Sequence, residues 1–142
     1  MRSLFLLLFS LACHLASAAS CEDTANALNQ RLNPKINAVE LAGILTHLNR
    51  SGRLPDQFVT KKAATAAGWR PGSNLHATQP GKSIGGDRFG NYEKRLPGGQ
   101  YTEADLDYRG GKRGAKRFVF SRAQRFVTVD HYNTFLEVPP CQ

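Results

Sequence analysis

The spacing of apolar residues changes once along this 142-residue chain, from a helical period to a strand-like alternation. In the first half, apolar residues recur at the i, i+3, i+4, i+7 spacing that places them on one stripe of a helix: Leu41, Ile44, Leu45 and Leu48. Asn37 with Glu40 three residues later resembles a capping box, and Ser51-Gly52 is typical of a helix end. A core helix is therefore predicted between residues 37 and 52.

Shorter helical segments are predicted on either side of this core helix. A polar, Asn-rich helix is expected from Asp23 to Leu32, and one helical turn is expected over residues 75–78. Thr60 is placed to cap a helix over KKAATAA, which ends before Gly68. Lys61 then lies in the first turn of that helix, where a cation opposes the helix dipole. Its position is unfavourable unless an anion binds nearby.

Beyond Gly86 the apolar period becomes two, as in a β-strand. Residues 101–108 alternate between an apolar face and an acidic face that carries Glu103 and Asp105. Further strands are predicted at residues 83–89 and in KRFVFS, RFVTVD and TFLEV. Helices first and strands second predict an α+β fold, with N-terminal helices packed on a C-terminal antiparallel sheet of about five strands.

The first 18 residues have the pattern of a secretory signal peptide. An apolar run from Leu4 to Cys13 follows Met-Arg, and Ala16 and Ala18 satisfy the small-residue rule for cleavage. We expect residues 1–18 to be removed, residues 19–36 to form an N-terminal extension, and residues 37–142 to form one domain. A membrane anchor is a competing interpretation, although the apolar run is short for a bilayer. Lipoprotein cleavage before Cys21 is another.

The cysteine count and the net charge indicate a disulfide and the kind of partner that the mature chain binds. Cys21 and Cys141 remain after signal cleavage, and an even count in an exported protein predicts one disulfide. Two unpaired thiols, or a lipidated Cys21, are the alternatives. The formal net charge is +8, which favours polyanions as partners. A basic composition is found in nucleases and in RNA-binding modules alike, so these functions have to be distinguished by individual residues.

Metal-free cleavage of RNA needs a base for the ribose 2′-hydroxyl, an acid for the leaving 5′-oxygen, and cations. His131 is predicted to end a strand, with its ring over the sheet, although such a histidine taken alone is more often structural. Glu103 and Asp105 share one face, which is costly unless cations such as Arg113 and Arg117 balance them. The residues alone leave open whether Glu103 is catalytic or part of an ion-pair network. For Asp105 we favour the structural role of holding the arginines.

Metal and nucleotide motifs give no competing assignment. His47, His76 and His131 lack the paired spacing of a zinc site. Gly85-Gly86 is not followed by the Gly-Lys-Ser/Thr of a phosphate-binding loop and is interpreted as a turn. We therefore expect neither a metal nor a cofactor.

Four motifs occur in an order that resembles a known enzyme family. Between about Leu54 and Val138, the chain resembles the guanyl-specific extracellular ribonucleases of the barnase and binase kind in LPDQFVTKKAATAAGW, PGKSIGGDRFGNYE, TEADLDYRGGKRGAKR and TVDHYNTF. The resemblance implies a secreted endoribonuclease that cuts single-stranded RNA after guanosine to a 2′,3′-cyclic phosphate and then hydrolyses it to a 3′-phosphate. A protein inhibitor of the barstar type is an expected partner. We expect a monomer with no stable membrane association.

The resemblance also implies a role for each candidate residue. Glu103 corresponds to the general base and His131 to the general acid, and the two exchange roles during hydrolysis of the cyclic phosphate. Three cations correspond to those that hold the phosphate and its transition-state charge: Lys61, Arg113 and Arg117.

The segment FGNYE resembles the base-recognition loop of the family. In that loop, backbone amides contact guanine O6, and a carboxylate that corresponds to Glu93 accepts hydrogen bonds from N1 and N2. The expected substrate-binding residues are Phe89, Gly90, Asn91, Tyr92, Glu93 and Tyr132. Phe89 is expected to support the loop from below, and Tyr132 to line the site.

Three departures from the family pattern accompany this loop. Tyr92 stands where the best-known members carry an arginine, Gly90 replaces a serine, and the loop LPGGQ is shorter. None of these changes removes a catalytic group. They are expected to alter substrate affinity and recognition by a protein inhibitor. Two other functions remain open: a non-catalytic basic RNA-binding module, which would need the cations but neither Glu103 nor His131, and an antibacterial toxin with the same chemistry.

Overall fold

The computed structural model describes residues 17–142. The predicted signal peptide therefore lies outside the described residues, except for Ser17 and Ala18. Three α-helices and one 3-10 turn occupy the first part of the chain: α1 (Cys21–Gln30), α2 (Ala38–Ser51), α3 (Lys61–Ala66) and the turn Leu75–Ala77. Six strands complete the fold: β1 (Phe58–Val59), β2 (Ser83–Phe89), β3 (Tyr101–Asp105), β4 (Arg117–Phe120), β5 (Arg125–Thr128) and β6 (Leu136–Glu137).

The helices begin and end close to where the capping residues predict. The Asn37 side chain accepts a hydrogen bond from the Glu40 amide at 3.1 Å, and α2 ends at Gly52, whose φ of 69° is left-handed. Thr60 caps α3 by accepting from the Ala63 amide at 3.2 Å. The core helix and the short helix after Thr60 are thus confirmed.

The sheet has the order β1-β2-β3-β4-β5-β6. The predicted α+β class is confirmed, and all five predicted strands are present. Two details differ from the expectation. A sixth strand, β1, pairs with β2 in parallel, so the sheet is mixed. The strand predicted over residues 101–108 ends at Asp105, although the Leu106 amide still donates in register to the Lys116 carbonyl at 3.1 Å.

The two faces of this sheet have different partners. One face, which we call the helix face, carries Phe118 and Val127, and both are fully buried in one apolar cluster with α1 and α2. That cluster includes the stripe Leu41, Ile44, Leu45 and Leu48. The opposite face, which we call the cleft face, carries Glu103, Asp105 and Arg117 beside a smaller apolar cluster. Helix α1, which lies in the predicted N-terminal extension, therefore belongs to the main core.

A disulfide joins Cys21 to Cys141, with 4.9 Å between their Cα atoms. The predicted pairing is confirmed. Both cysteines are buried in the cluster of the helix face, where Asn49 also donates to the Cys141 carbonyl at 2.9 Å. The bridge closes a loop of 120 residues, which in the chain-entropy model stabilises the fold by about 4 to 5 kcal/mol. Within residues 17–142, no helix has the length and hydropathy needed to cross a membrane.

Candidate active site

Strand register places the acidic residues of the cleft face next to their cations. Glu103 lies opposite Asp87 on β2 and Val119 on β4, while Asp105 lies opposite Arg117. Like charges directly opposite each other destabilise a sheet unless they are balanced. Glu103 is 8% exposed and Asp105 is 2% exposed, so the acidic face is covered rather than solvated. Cations must therefore lie close to this face.

A β-bulge brings Asp87 onto the cleft face. Gly85 pairs with Ala104 and Asp87 pairs with Glu103, so two steps along β2 match one step along β3. Gly86, with a φ of 105°, is the extra residue, and this left-handed conformation favours glycine. Without the bulge, Asp87 would point to the other face, because successive side chains alternate. The glycine pair was interpreted as a turn, and this was wrong: it lies inside β2.

Asp105 holds both arginines. Arg113 forms a bidentate pair with it, with Nε–Oδ2 and Nη2–Oδ1 both 2.7 Å, and Arg117 Nε lies 3.0 Å from Oδ1. The hydrogen bond to Asp105 raises the pKa of Arg113, so this guanidinium stays charged. Arg117 is 4% exposed and donates twice more from Nη1, to the carbonyls of Gly114 and Lys116. Two cations are thereby fixed before any substrate binds.

Tyr132 links Arg117 to Glu103. Its hydroxyl donates to Glu103 Oε2 at 3.0 Å and accepts from Arg117 Nε at 3.1 Å. Burial, with the nearby Glu103 carboxylate, raises the pKa of Tyr132 to about 12. The hydroxyl is therefore protonated at neutral pH and donates to Oε2. Within residues 17–142, no hydrogen bond involves the other oxygen, Oε1, which leaves it for an incoming proton.

Asp87 also explains the placement of Lys61. Its Oδ2 accepts from the Lys61 backbone amide at 3.0 Å, so a carboxylate lies at the N-terminus of α3. A negative charge there is favourable and offsets the cation in the first turn. The anion that the sequence required near Lys61 is thus supplied by the protein itself. The exposed Lys61 side chain lines the same cleft as Glu103.

His131 was predicted to end a strand, and this was wrong. Strand β5 stops at Thr128, and His131 lies in the following turn with a left-handed φ of 54°. Its backbone amide donates to the Ala115 carbonyl at 3.1 Å, which ties the turn to the loop before β4. The side chain is exposed and lines the cleft. The ring therefore reaches the site from a turn, where strand register does not limit its direction.

Asp130 is the anchor of this turn. Its carboxylate accepts from Thr128 Oγ1 at 2.9 Å, from the Thr134 amide at 2.9 Å and from Thr134 Oγ1 at 2.6 Å. Burial alone would raise the pKa of Asp130, but hydrogen bonds from Thr134, Thr128 and Asn133 outweigh it and lower the pKa. The charged form of Asp130 therefore links Thr128, before His131, to Thr134, after it.

The segment from Phe89 to Arg95 is fixed at both of its ends. The Asn91 side chain accepts from the Leu96 amide at 3.1 Å and donates to the Leu96 carbonyl at 2.9 Å. Arg95 pairs with Glu93 at 2.7 Å and donates to the Asn133 carbonyl at 3.0 Å. Phe89 stacks on Tyr132 with 5.1 Å between ring centroids, which packs the start of this segment against the turn after β5.

All these elements meet in one cleft of about 530 Å³. It is lined by every residue predicted to be catalytic or substrate-binding: Lys61, Phe89, Gly90, Asn91, Tyr92, Glu93, Glu103, Arg113, Arg117, His131 and Tyr132. Asp105 lies behind the arginines and is not part of the lining. The cysteines lie elsewhere, on the helix face. Among residues 17–142, no cluster of three or more histidine, cysteine or acidic side chains is arranged to hold a metal ion.

Sequence reasoning missed five residues of this site. Arg88, Arg95 and Asn133 line the cleft, while Asp87 and Asp130 position the residues that do. Asp87 could have been sought from the sequence, because a lysine in the first turn of a helix is unfavourable unless an anion lies nearby. The other roles depend on register and on turn geometry.

Comparison with known proteins is consistent with this geometry. A family model described as ribonuclease matches residues 44–139. A ribonuclease from Heyndrickxia coagulans is 46% identical over 101 residues, which is 68% of this chain and 93% of that protein. Ribonucleases from Bacillus intermedius and Bacillus pumilus are also 46% identical over 101 residues, which is 62% of each of those proteins. This chain belongs to the ribonuclease family, and within it to the barnase and binase kind.

Proposed function

We propose that this protein is a guanyl-preferring endoribonuclease that cleaves single-stranded RNA by metal-free transesterification. The observation that carries the proposal is that Glu103 and His131 line one cleft with the three predicted cations, Lys61, Arg113 and Arg117. A carboxylate and an imidazole supply the base and the acid, and the cations supply charge for the phosphate. Family membership supports the same activity.

In the first step, Glu103 takes the proton of the ribose 2′-hydroxyl while the 2′-oxygen attacks phosphorus. The bond from phosphorus to the 5′-oxygen breaks, and His131 gives its proton to that oxygen. In the second step the roles are exchanged: His131 takes a proton from water, the water oxygen attacks the cyclic phosphate, and Glu103 protonates the leaving 2′-oxygen. The first step leaves Glu103 protonated and His131 deprotonated, and the second step returns both residues to their starting protonation states.

The arginines stabilise the charge that develops on the phosphate. Within residues 17–142, no hydrogen bond involves Nη1 of Arg113 or Nη2 of Arg117, so these N–H groups are available to phosphate oxygens. Because Asp105 already fixes both side chains, little reorganisation is needed when the transition state forms. Lys61 adds a third cation at the cleft wall.

Guanine preference is assigned to the segment from Phe89 to Glu93. The loop amides would contact guanine O6, and the Glu93 carboxylate would accept from N1 and N2. In the unbound protein Arg95 occupies this carboxylate, but both side chains are well exposed, at 46% and 74%. Such surface pairs contribute little free energy, so guanine can displace or share the arginine at low cost.

We further propose that the protein is exported after cleavage near Ala18 and acts as a monomer with no stable membrane association. The buried disulfide supports an oxidising destination. A barstar-like inhibitor is a proposed partner, since an acidic protein surface would match the cationic cleft. Use as an antibacterial toxin would require the same chemistry.

The first test compares guanosine-containing and guanosine-free RNA as substrates, in the presence of a chelator. We expect cleavage after guanosine that persists in chelator and falls by at least about 100-fold in His131→Ala and Glu103→Gln. Two matched variants serve as controls: His47→Gln on α2 and Glu137→Gln on β6, neither of which lines the cleft. Both should retain activity.

Two outcomes would overturn the proposal. If the intact protein binds RNA but never cuts it, the protein is a basic binding module instead. If cleavage continues unchanged in the His131 and Glu103 variants, the nuclease uses other groups.

A further inference from the structure

Tyr92 is an almost fully exposed aromatic side chain at the cleft. Among residues 17–142, two large apolar side chains are mostly exposed: Val39 at 83% and Tyr92 at 93%. Val39 lies on α2, away from the cleft, and single exposed apolar residues of this kind are common. Tyr92 differs because it lines the cleft that holds Glu103 and His131. Its ring is therefore exposed at the cleft that is proposed to bind RNA.

Gly90 makes room for this ring. A Cβ built at position 90 would lie 2.1 Å from Cε2 and 2.5 Å from Cζ of Tyr92, closer than real contacts allow. The tyrosine and the glycine are the two residues of the loop that depart from the family pattern. The ring lies over the loop backbone at Gly90, in a place that any larger side chain at position 90 would occupy.

Side chains on both sides of Tyr92 connect its loop to neighbouring residues. Asn91, just before it, is clamped to both backbone groups of Leu96, and Glu93, just after it, is paired with Arg95. Arg95 in turn donates to the Asn133 carbonyl, two residues beyond His131. The loop that carries the ring therefore contacts the turn of His131 through Arg95.

We propose that Tyr92 is a stacking platform for a nucleobase of the bound RNA, in place of a cationic phosphate contact. This inference rests on the proposed function. Single-stranded RNA is recognised largely by bases that stack on aromatic rings, and tyrosine combines a flat apolar face with a polar tip. The base is either the guanine in the recognition loop or its neighbour along the strand, and both present the same π face.

The test measures kcat/KM for Tyr92→Leu, which keeps an apolar side chain but removes the ring. Base stacking on an aromatic ring is worth roughly 5- to 140-fold in binding. We expect a loss of that size, expressed mainly in KM, and a loss below about twofold in Tyr92→Phe, which keeps the ring. Val39→Leu is the matched control for an exposed apolar residue and should not change kcat/KM.

The choice of substrate identifies the base. Hydrolysis of guanosine 2′,3′-cyclic phosphate involves guanine alone, whereas the dinucleotides GpA and GpU and the trinucleotide UpGpU add a neighbour. If Tyr92→Leu has a lower kcat/KM on every substrate, the base that stacks on Tyr92 is guanine. A loss confined to substrates with a neighbouring base, larger for adenine than for uracil, places the neighbour there.

Failure of the inference can be distinguished from failure of the proposed function. If the wild-type protein cleaves these substrates and Tyr92→Leu equals Tyr92→Phe on all of them, the stacking role is wrong and the nuclease assignment stands. If Tyr92→Arg surpasses the wild type on every substrate, the position serves phosphate rather than base, and the inference is likewise wrong. If the wild-type protein cleaves none of them, the proposed function itself fails.

Discussion

The two faces of the sheet are built from the same strands but obey different rules. On the helix face, Phe118 and Val127 are buried against the leucine and isoleucine stripe of α2. On the cleft face, the neighbours of these two residues along their strands are Arg117 and Thr128, which are buried beside Asp105. Apolar burial needs only complementary volume, whereas each charge on the cleft face needs a particular partner at hydrogen-bond distance.

This difference means that the two faces should respond differently to mutation. A lost methylene on the helix face costs transfer free energy and leaves a cavity, but it changes no charge. A lost partner on the cleft face leaves a buried ion without compensation and also moves a cleft residue. Stability and activity should therefore separate on one face and fall together on the other.

Asp105→Ala is expected to have the largest effect. It removes the partner of both Arg113 and Arg117, which should lower the free energy of unfolding by about 3 to 5 kcal/mol. Displacement of the arginines should also lower kcat/KM by about 100-fold. Chemical denaturation measures the first effect, and RNA cleavage under conditions where the variant is folded measures the second.

Phe118→Ala is the matched variant on the helix face. It should destabilise the protein by a similar amount, about 3 to 5 kcal/mol, because a fully buried aromatic side chain is lost. Its folded fraction should keep nearly the wild-type kcat/KM. Equal losses of activity in the two variants would show that the faces are not independent.

Removal of the disulfide should separate stability from activity most clearly. Cys21→Ala combined with Cys141→Ala opens the 120-residue loop and should lower the free energy of unfolding by about 4 kcal/mol. Because both positions are buried on the helix face, kcat/KM per folded molecule should not change. A thermal denaturation curve and an activity assay well below its midpoint would check both. A loss of activity in the folded state would mean that the termini position the cleft.

The helix face was predictable because its signal is periodic and local. The spacing from Leu41 to Leu48 specifies one buried stripe of α2, and Asn37 and Gly52 are capping residues that mark its ends. Strand β1 was missed for the opposite reason. Two residues, Phe58 and Val59, show no period, and their partners on β2 lie 25 residues further along the chain.

The cleft face was predictable in its residue types but not in its geometry. Glu103, His131 and the arginines were assigned through family resemblance, and they do line one cleft. The role of Asp87 depends on the bulge at Gly86, and a bulge leaves no periodic trace in the sequence. The position of His131 depends on a turn that is held by Asp130. The residues of this turn form no regular pattern in the sequence.

Asp130→Asn should have a smaller effect and a characteristic pH dependence. The substitution removes the charge that accepts from Thr128 and Thr134, which should cost about 1 to 2 kcal/mol of stability at neutral pH for a partly exposed site. The pKa of Asp130 is lowered in the folded protein, so its contribution is present above the ordinary value of 3.8. It is lost as the pH falls through the folded-state pKa.

The measurement is the free energy of unfolding of both proteins by urea denaturation, at neutral pH and at acidic pH. The difference between wild type and variant should shrink as the pH falls below 3.8. A difference that stays constant would mean that the charge of Asp130 is not what holds the turn. Because the turn carries His131, kcat should fall at neutral pH, while KM for a short substrate should change little.

Tyr132→Phe is expected to have the smallest effect, and it tests whether the hydroxyl positions Glu103. Loss of hydrogen bonds to Glu103 and Arg117 should lower kcat by about 5- to 10-fold, with little change in KM. Since the pKa of Tyr132 is about 12, the ratio of wild-type to variant activity should not vary between neutral pH and pH 10.

Tyr101→Phe provides the control on the same face. Tyr101 is also buried, and its hydroxyl donates to the Pro97 carbonyl at 2.8 Å, but it does not line the cleft. Tyr101→Phe loses one hydrogen bond to a neutral carbonyl and should cost about 1 kcal/mol of stability, whereas Tyr132→Phe loses two to charged groups and should cost at least as much. Only Tyr132→Phe should lower kcat. If Tyr101→Phe lowers kcat equally, the cleft face depends on its packing as a whole, and the hydroxyl of Tyr132 has no separate role in holding the Glu103 carboxylate.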